Sequence, residues 1–401
     1  MRILRAAAFG LALCIAGHTP LAAQTQTFKV GIIASFTGAF ATWGAQFQQG
    51  IEAYQGVHGK TVKGPKGDQI EVQFIYRDAA SAGADKAKQL MEELVLRDKV
   101  NMVAGFDLTP HAMAVAGIAT ESKVPVLLMN AASNGLNRAS PYFVRDSFSV
   151  AQLAATLGKW AAENGIKKVY TIVADYSAGI DFETHFTRAF KAGGGEIIGS
   201  TRSPIRETNF AAYMERILQA RPDAVYMFQP AGAPSSAFMK AFSERGLKEA
   251  GIKLLGQAEF SGPYLPNYTD DALGAISVLH YTETNNLPEN LQMKAQLSKM
   301  FGEKAVPDMA TVGGWDGTKL IYLALQQVGA SASGMEMINA MTGKVIQSPR
   351  GEFQIDAEER DVTQDIYIRR VDKKDGKLQN VDIATYKLVK DPWALENPVK
   401  K

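Results

Sequence analysis

Six short segments hold the residues of this chain best suited to gripping a small molecule. They are "SFTGAFATWG" (35–44), "GFDLTPH" (105–111), "NAASN" (130–134), "DYSAG" (175–179), "QPAGA" (229–233) and "QAEFSG" (257–262). Together they offer hydroxyls, side-chain amides, aromatic rings and backbone N–H groups flanked by small residues. Such groups can accept and donate hydrogen bonds inside a dry cleft, and a carboxylate can be held there by hydroxyl and N–H donors without a counter-charge.

Patterns for other chemistries are lacking. There is no GxxxxGK[ST], and Gly31, Gly38 and Gly44 do not form GxGxxG, so a phosphate cradle is not expected. The glycines of "AGGGEIIG" follow a helix and precede a strand, which suits C-terminal capping and not anion binding. The five histidines (His18, His58, His111, His185 and His280) are scattered without HExxH. The single cysteine, Cys14, lies near the N-terminus, so neither a metal site nor a bound cofactor is expected. "PSSAF" around Ser235 lacks the GxSxG elbow of serine hydrolases.

The N-terminus reads as an export signal. Arg2 and Arg5 precede an apolar run from residue 6 to 17, and "LAA" at 21–23 fits a cleavage site, so residues 1–23 are expected to be removed. The run is too short to span a bilayer. Without its leader the chain keeps 41 of its 43 lysines and arginines, against 41 acidic residues. That balance, with no basic stripe, argues against a nucleic-acid partner. The mature chain has no cysteine, so its stability must come from its cores, and its length favours two of them.

Behind the six loops lies an alternation of strand and helix. "FKVGIIAS" is a buried-strand run before a helix over 45–54, and "IEVQFIYRD" ends a strand at Asp78. "ADKAKQLMEELVLRDK" then places Ala87, Leu90, Met91, Leu94 and Val95 on one helical face. The pattern restarts after Arg145 and runs through "KKVYTIVADYSAG", "DAVYMFQPAGA" and "IKLLGQAEFSG". Two α/β blocks with parallel sheets are therefore expected. "DGTKLIYLALQQVG" is a further helix, and "GEFQIDAEERDVTQDIYIRRVD" alternates as an antiparallel pair. "KKDGK" reads as a turn and "NPVKK" as a frayed tail. In open parallel sheets ligands sit beyond the carboxyl ends of the strands, so a cleft between the blocks would gather all six loops.

The segments "VGIIASFTGAFATWG", "YRDAASAGADKAKQLMEELV", "GFDLTPHAMAVAGIATESKVPVLLMNAASN", "VYTIVADYSAGIDFETHF", "TNFAAYMERI" and "PDAVYMF" carry a resemblance in their order and spacing. Over nearly all of its mature length the chain resembles a type I periplasmic solute-binding protein of an ABC importer, in the branched-chain or hydrophobic amino-acid (leucine/isoleucine/valine-binding) group. The resemblance implies two doubly wound parallel-sheet lobes joined by a three-crossing hinge. The crossings are expected near Arg145, Gly274 and Arg350. Lobe 1 would comprise 24–145 with 275–349, lobe 2 146–274 with 350–391, and 392–401 would be a tail.

By the same resemblance the ligand carboxylate meets Thr109, Ser133 and backbone amides around Ala131; a helix N-cap before Pro110 is the structural alternative for Thr109. Tyr176 and Gln229 belong to the second-lobe wall. Ala178 stands where the family commonly has an aromatic, which implies a larger pocket or a bulkier ligand. Glu259 lies where a related amino-acid binder places its ammonium-pairing carboxylate, or else it is a solvated loop acid. Trp43 is favoured for the pocket, while Phe106 and Phe40 serve as pocket lid or core. Asp78 reads as a turn or cap residue, and Arg202 and Arg206 as surface arginines with some potential to pair a carboxylate.

These residues imply a non-enzymatic, periplasmic receptor that acts as a monomer and delivers a small amphipathic carboxylate to a membrane permease. A branched-chain or hydrophobic amino acid is the first expectation for the ligand. An aromatic carboxylate of benzoate or cinnamate type is the alternative, favoured by Ala178 and disfavoured by Glu259. A periplasmic sensor would use the same fold. A repressor of lac type would need a helix-turn-helix where the leader stands, and an exported enzyme would need a nucleophile–base pair.

Overall fold

The computed structural model describes residues 25–81 and 83–399; the expected leader at 1–23 lies outside the described residues. The first sheet contains β1 (Gln26–Ala34), β2 (Thr61–Lys63), β3 (Gln69–Asp78), β4 (Met102–Gly105), β5 (Val126–Leu128) and β6 (Phe143–Arg145) in the order β2-β3-β1-β4-β5-β6. All neighbours are parallel except β2, which pairs antiparallel with β3. Apolar runs such as "VGIIA" form its centre because both faces are covered. Val30, Ile32 and Ala34 point into one core and Ile33 into the other, as the two-residue period of a strand requires.

The helices of this body are α1 (Ala41–His58), α2 (Ala84–Glu92), which continues as a wider turn over Glu93–Arg97, and α3 (Thr109–Ser122). After β6 the chain enters α4 (Val150–Glu163), whose start is closed by a reciprocal Ser149–Gln152 capping box. The second sheet follows with β7 (Lys168–Ala174), α5 (Ser177–Ala192), β8 (Glu196–Ser203), α6 (Ala211–Ala220), β9 (Ala224–Phe228), α7 (Ala233–Glu244), β10 (Lys253–Gly256) and β11 (Ile276–Leu279). Its parallel part runs β8-β7-β9-β10-β11.

Next come α8 (Pro288–Phe301), α9 (Met309–Val328) and α10 (Gly334–Met341), with α8 and α9 packed on α1 of the first body. The chain returns to the second sheet with β12 (Val345–Ile346), β13 (Phe353–Ile355), β14 (Val362–Lys374) and β15 (Lys377–Val389), all antiparallel to their neighbours, and ends in α11 (Pro392–Glu396). The "KKDGK" turn joins β14 to β15 through Asp375 and Gly376, with φ of 50° and 77°, the left-handed pair of a tight hairpin.

Two crossings fall away from the positions expected from sequence. Gly274 is the turn before β11, but β11 stays in the second sheet between β10 and β14, so the second crossing lies between Leu279 and Pro288. β12 also belongs to the second sheet, which puts the third crossing between Met341 and Val345, ahead of Arg350. Strand pairing draws both limits, β11 with β14 and β12 with β13. The C-terminal segment is also docked as far as Asn397: its carbonyl accepts from Arg138 at 2.6 Å, and the Arg138 guanidinium lies 4.9 Å from the Trp393 ring centre.

The crossings are packed with buried charge. Arg145 pairs Asp361 and also donates to the Ser133 carbonyl at 3.2 Å. Arg350 lies 3.1 Å from Asp316 of α9 and donates to the Ser147 carbonyl at 2.7 Å and to Gln364 of β14 at 2.9 Å. One guanidinium thus ties both bodies to the first crossing.

Candidate functional site

The two bodies meet around a small cavity of about 40 Å³. Its walls come from the carboxyl ends of strands and the helix starts that follow them. The first lobe contributes Trp43 of α1, Asp107–Thr109 between β4 and α3, Asn130–Ala132 after β5, and Met309 at the start of α9. The second lobe contributes Tyr176, Ala178 and Phe182 around the start of α5, Phe228–Ala231 after β9, and Gln257 and Ala258 after β10. Phe148 and Leu153, with Leu279, close it near the crossings.

Of the residues singled out from sequence, the structure brings Trp43, Thr109, Ala131, Tyr176, Ala178 and Gln229 to this cavity. Phe106, Ser133 and Glu259 do not line it. Phe106 is fully buried in the core formed with Val103 and Val115, held by a left-handed backbone (φ 65°) directly after Gly105 (φ 104°). This turn aims the Phe106 ring away from the cleft and brings Asp107 toward it. Phe40 is fully buried in the large core.

Thr109 is the first residue of α3 and not its cap; Leu108 holds that position without a side-chain bond. The Thr109 hydroxyl oxygen accepts from the Ser133 N–H at 3.4 Å, so its proton stays available to a ligand. Ala178 sits in the first turn of α5, and Gly179 beside it presses on β7: a Cβ there would come within 1.9 Å of the Ala174 carbonyl oxygen. Both helix starts direct N–H groups without intrahelical acceptors, and the positive end of a helix dipole, at the cavity. Gln229 is buried with both amide atoms bonded to the Ser203 hydroxyl, at 3.0 and 3.2 Å.

Glu259 is fully buried and committed to backbone. It accepts from the N–H of Gln229 at 2.9 Å and from that of Gln257 at 2.7 Å, clamping the two second-lobe loops to each other. Burial pushes its carboxyl up to about 7 against the pull of these bonds. The lining carboxylate, Asp107, is likewise engaged: it accepts from Ser35 N and Leu108 N, both at 3.1 Å, and lies 2.9 Å from His111 Nδ1. Among the described residues no basic side chain lines the cavity.

Rings dominate the wall. Phe228 lies 4.2 Å from Phe182 and 6.0 Å from Tyr176 between ring centres. Phe148 stacks on His280 at 5.2 Å, and burial keeps that imidazole well below its usual range and therefore neutral. Sequence reasoning did not single out Phe148, Phe182, Phe228, Asn130 or Gln257. Phe182 follows Ala178 by four positions on one helix, a spacing that could have flagged it. Asn130 and Gln257 stood in loops already marked.

The lobes also touch outside the cavity. Asn134 donates its backbone N–H to Asp181 at 3.0 Å, and its side-chain nitrogen lies 2.9 Å from His185 Nε2. Arg206 donates to the Ser81 carbonyl of the other lobe, while Arg202 pairs Glu183 within its own. Asp78 staples the first loop, accepting from Phe36 N at 2.8 Å, Thr37 N at 3.2 Å and the Thr37 hydroxyl at 2.6 Å. Among the described residues no cluster of His, Cys, Asp or Glu could hold a metal, and no helix is long and apolar enough to cross a membrane.

Two α/β lobes meeting on a ring-lined cavity at their strand ends form a site suited to a small solute. The periplasmic binding protein family model matches residues 27–377, and the chain belongs to that family. A Leu/Ile/Val-binding protein homolog 6 from Brucella abortus (strain 2308) is 36% identical over 383 residues, covering 95% of this chain and 97% of that one. A solute-binding protein of an ABC transporter from Rhodopseudomonas palustris BisB5, solved in complex with 3,4-dihydroxybenzoic acid, is 42% identical. It covers 91% of this chain and 99% of its own, with a TM-score of 0.86. A second R. palustris solute-binding protein, in complex with 4-hydroxybenzoate, is 38% identical with a TM-score of 0.89, covering 92% and 100%. The chain is thus a type I solute-binding protein of the ABC-transporter kind.

Proposed function

We propose that this protein captures a small aromatic carboxylate without an amino group between its lobes, in the periplasm, and delivers it to the permease of an ABC importer. The observation that carries this reading is the engagement of the acids. An ammonium moved into a dry cavity needs a partner charge. Glu259 spends both oxygens on backbone N–H groups, and Asp107 already meets three donors. What is left suits a flat ring against Phe148, Tyr176, Phe182 and Phe228, with its carboxylate at the Thr109 hydroxyl and the starts of α3 and α5. The benzoates named for the two R. palustris proteins support the same choice.

The name of the Brucella relative keeps an aliphatic amino acid as the second reading, with Asp107 as the ammonium partner. A thermal-unfolding screen of residues 24–401 separates the two. A ligand that binds only the folded state stabilises it by about 2.7 kcal/mol at a hundred times its Kd. Benzoates or cinnamates are expected to raise the midpoint and leucine, isoleucine and valine to leave it unmoved; the reverse pattern sinks the proposal.

A further inference from the structure

Gln257 is held at three points, and one of its polar atoms is left without a partner. Its backbone N–H donates to Glu259 Oε2 at 2.7 Å, and its carbonyl accepts from the Arg369 guanidinium at 3.2 Å. Its side-chain Nε2 donates to the Tyr226 hydroxyl at 2.8 Å, and that hydroxyl reaches the Phe182 carbonyl at 3.4 Å. The bond from Nε2 orients the amide, because the hydroxyl proton is directed to Phe182 and only an amide nitrogen can then donate to Tyr226. The atom left over is Oε1, buried and unpaired, in a cavity-lining residue that is 1% exposed.

Asn130 repeats the arrangement from the first lobe. Its Nδ2 donates to the Asp107 carbonyl at 2.8 Å, while Oδ1 is buried and unpaired. The cavity wall therefore carries two neutral acceptors, each on an amide whose nitrogen makes one bond to the protein and keeps its second N–H. A buried acceptor without a donor is costly, and a ligand that supplies the donor recovers that cost.

The chemistry of the missing donor is narrow. A carboxylate brings only lone pairs, which repel a carbonyl oxygen. An ammonium brings donors, yet two neutral amides do not replace the water it would lose. A phenolic hydroxyl is neutral, stands on the rim of a flat ring and presents one proton.

Resting on the aromatic-acid reading above, we propose that the ligand is a hydroxylated aromatic acid and that Gln257 is its specificity residue. The phenolic O–H donates to Gln257 Oε1, and Asn130 Oδ1 receives the second hydroxyl of a dihydroxy acid. Tyr226 is a positioning residue that keeps the Gln257 amide from turning over.

The test is calorimetry with benzoate, 3-hydroxybenzoate, 4-hydroxybenzoate and the two methoxybenzoates on the wild type and on Gln257→Leu. In the wild type the better hydroxybenzoate is expected to bind at least about tenfold tighter than benzoate, and its methoxy ether, which has no proton, to lose that advantage. In Gln257→Leu the ratio of hydroxybenzoate to benzoate affinity is expected to fall toward one. A wild-type ratio near one, or a ratio that survives Gln257→Leu, overturns the proposal while leaving the aromatic reading intact. A wild type that binds leucine and no benzoate sinks both together. If Gln257→Leu has no folded thermal transition, Tyr226→Phe takes its place: with Nε2 released, the ratio must drop by at least about threefold, and an unchanged ratio counts against the proposal.

Discussion

Trp43 donates its indole N–H to the carbonyl of Ala231 at 2.9 Å, across 188 residues of sequence and from one lobe to the other. Both residues line the cavity, so the bond ties its opposite walls together. It exists only while the lobes meet and therefore weights the closed state, the state a bridging ligand also selects.

Replacing Trp43 by Phe keeps a ring and removes that donor. A neutral hydrogen bond is worth about 0.5–1.5 kcal/mol net, so the Kd for the preferred acid should rise about two- to tenfold, mostly through faster release. Stopped-flow dissociation and calorimetry read this directly. An unchanged release rate would remove Trp43 from the closure mechanism.

Thr109 and Ser133 should separate. The Thr109 hydroxyl is on the cavity wall with a free proton, and a bond to a charged acceptor is worth about 1.5–3 kcal/mol, so Thr109→Ala should weaken binding of a carboxylate about ten- to a hundredfold. Ser133 is off the wall, and Ser133→Ala should stay within about twofold. Equal losses at both sites would mean that the carboxylate sits deeper toward Ser133 than this cavity allows.

Ala178→Phe tests the space that the small residue leaves. Its backbone cannot retreat, since Gly179 is pressed against the Ala174 carbonyl, so the new ring must enter the cavity. Benzoate binding should fall by about five- to a hundredfold, because overpacking a site costs about 1–3 kcal/mol. A cooperative melt near that of the wild type would show that the fold survives; retained benzoate binding would refute the assignment of the ring wall.

Glu259 predicts a pH signature. Burial raises its folded-state carboxyl to about 7 from an ordinary 4.5, so between those values the native protein holds a proton that the unfolded chain has released. The unfolded state binds fewer protons there, and stability falls as pH rises through the window. Glu259→Gln has no proton to lose. The wild-type melting temperature minus that of Glu259→Gln should therefore decline between about pH 5 and pH 7.5. A flat difference would show that the clamp on Gln229 and Gln257 does not titrate in this range.

At the hinge, Arg350→Met leaves Asp316 buried without its partner. Removing one member of a buried ion pair costs about 3–5 kcal/mol, to be read as a lower midpoint in urea with an unchanged slope. A loss under about 1 kcal/mol would mean that Asp316 is neutral in the folded state.

Much of this molecule was legible residue by residue. Strand runs such as "VGIIA", the one-sided face of α2, the Asp-Gly hairpin and the loops at strand ends all follow from local periodicity and turn chemistry, which neighbouring residues determine among themselves. Asp78 as a turn staple and Trp43 as a cavity residue belong to the same group, since a large ring in a loop of small residues has little core to join.

Other features depended on contacts between segments far apart in sequence. Glu259 and Asp107 are acids in strand-end loops, and nothing nearby says whether their oxygens are free; the fold commits them to Gln229, Gln257, Ser35 and Leu108. Phe106 turned into the core because two successive left-handed residues rotate the chain there. β11 is held in the second sheet by β14, some ninety residues further on, and β12 joins it through β13, which pairs with β14. By itself the sequence determined the alternation of elements and the loops that could hold a ligand, because those are short-range properties. Which acceptors in those loops remain unpaired, and hence what the cavity asks of its ligand, is settled only by long-range packing, which ties Gln257 to Tyr226 and Asn130 to Asp107.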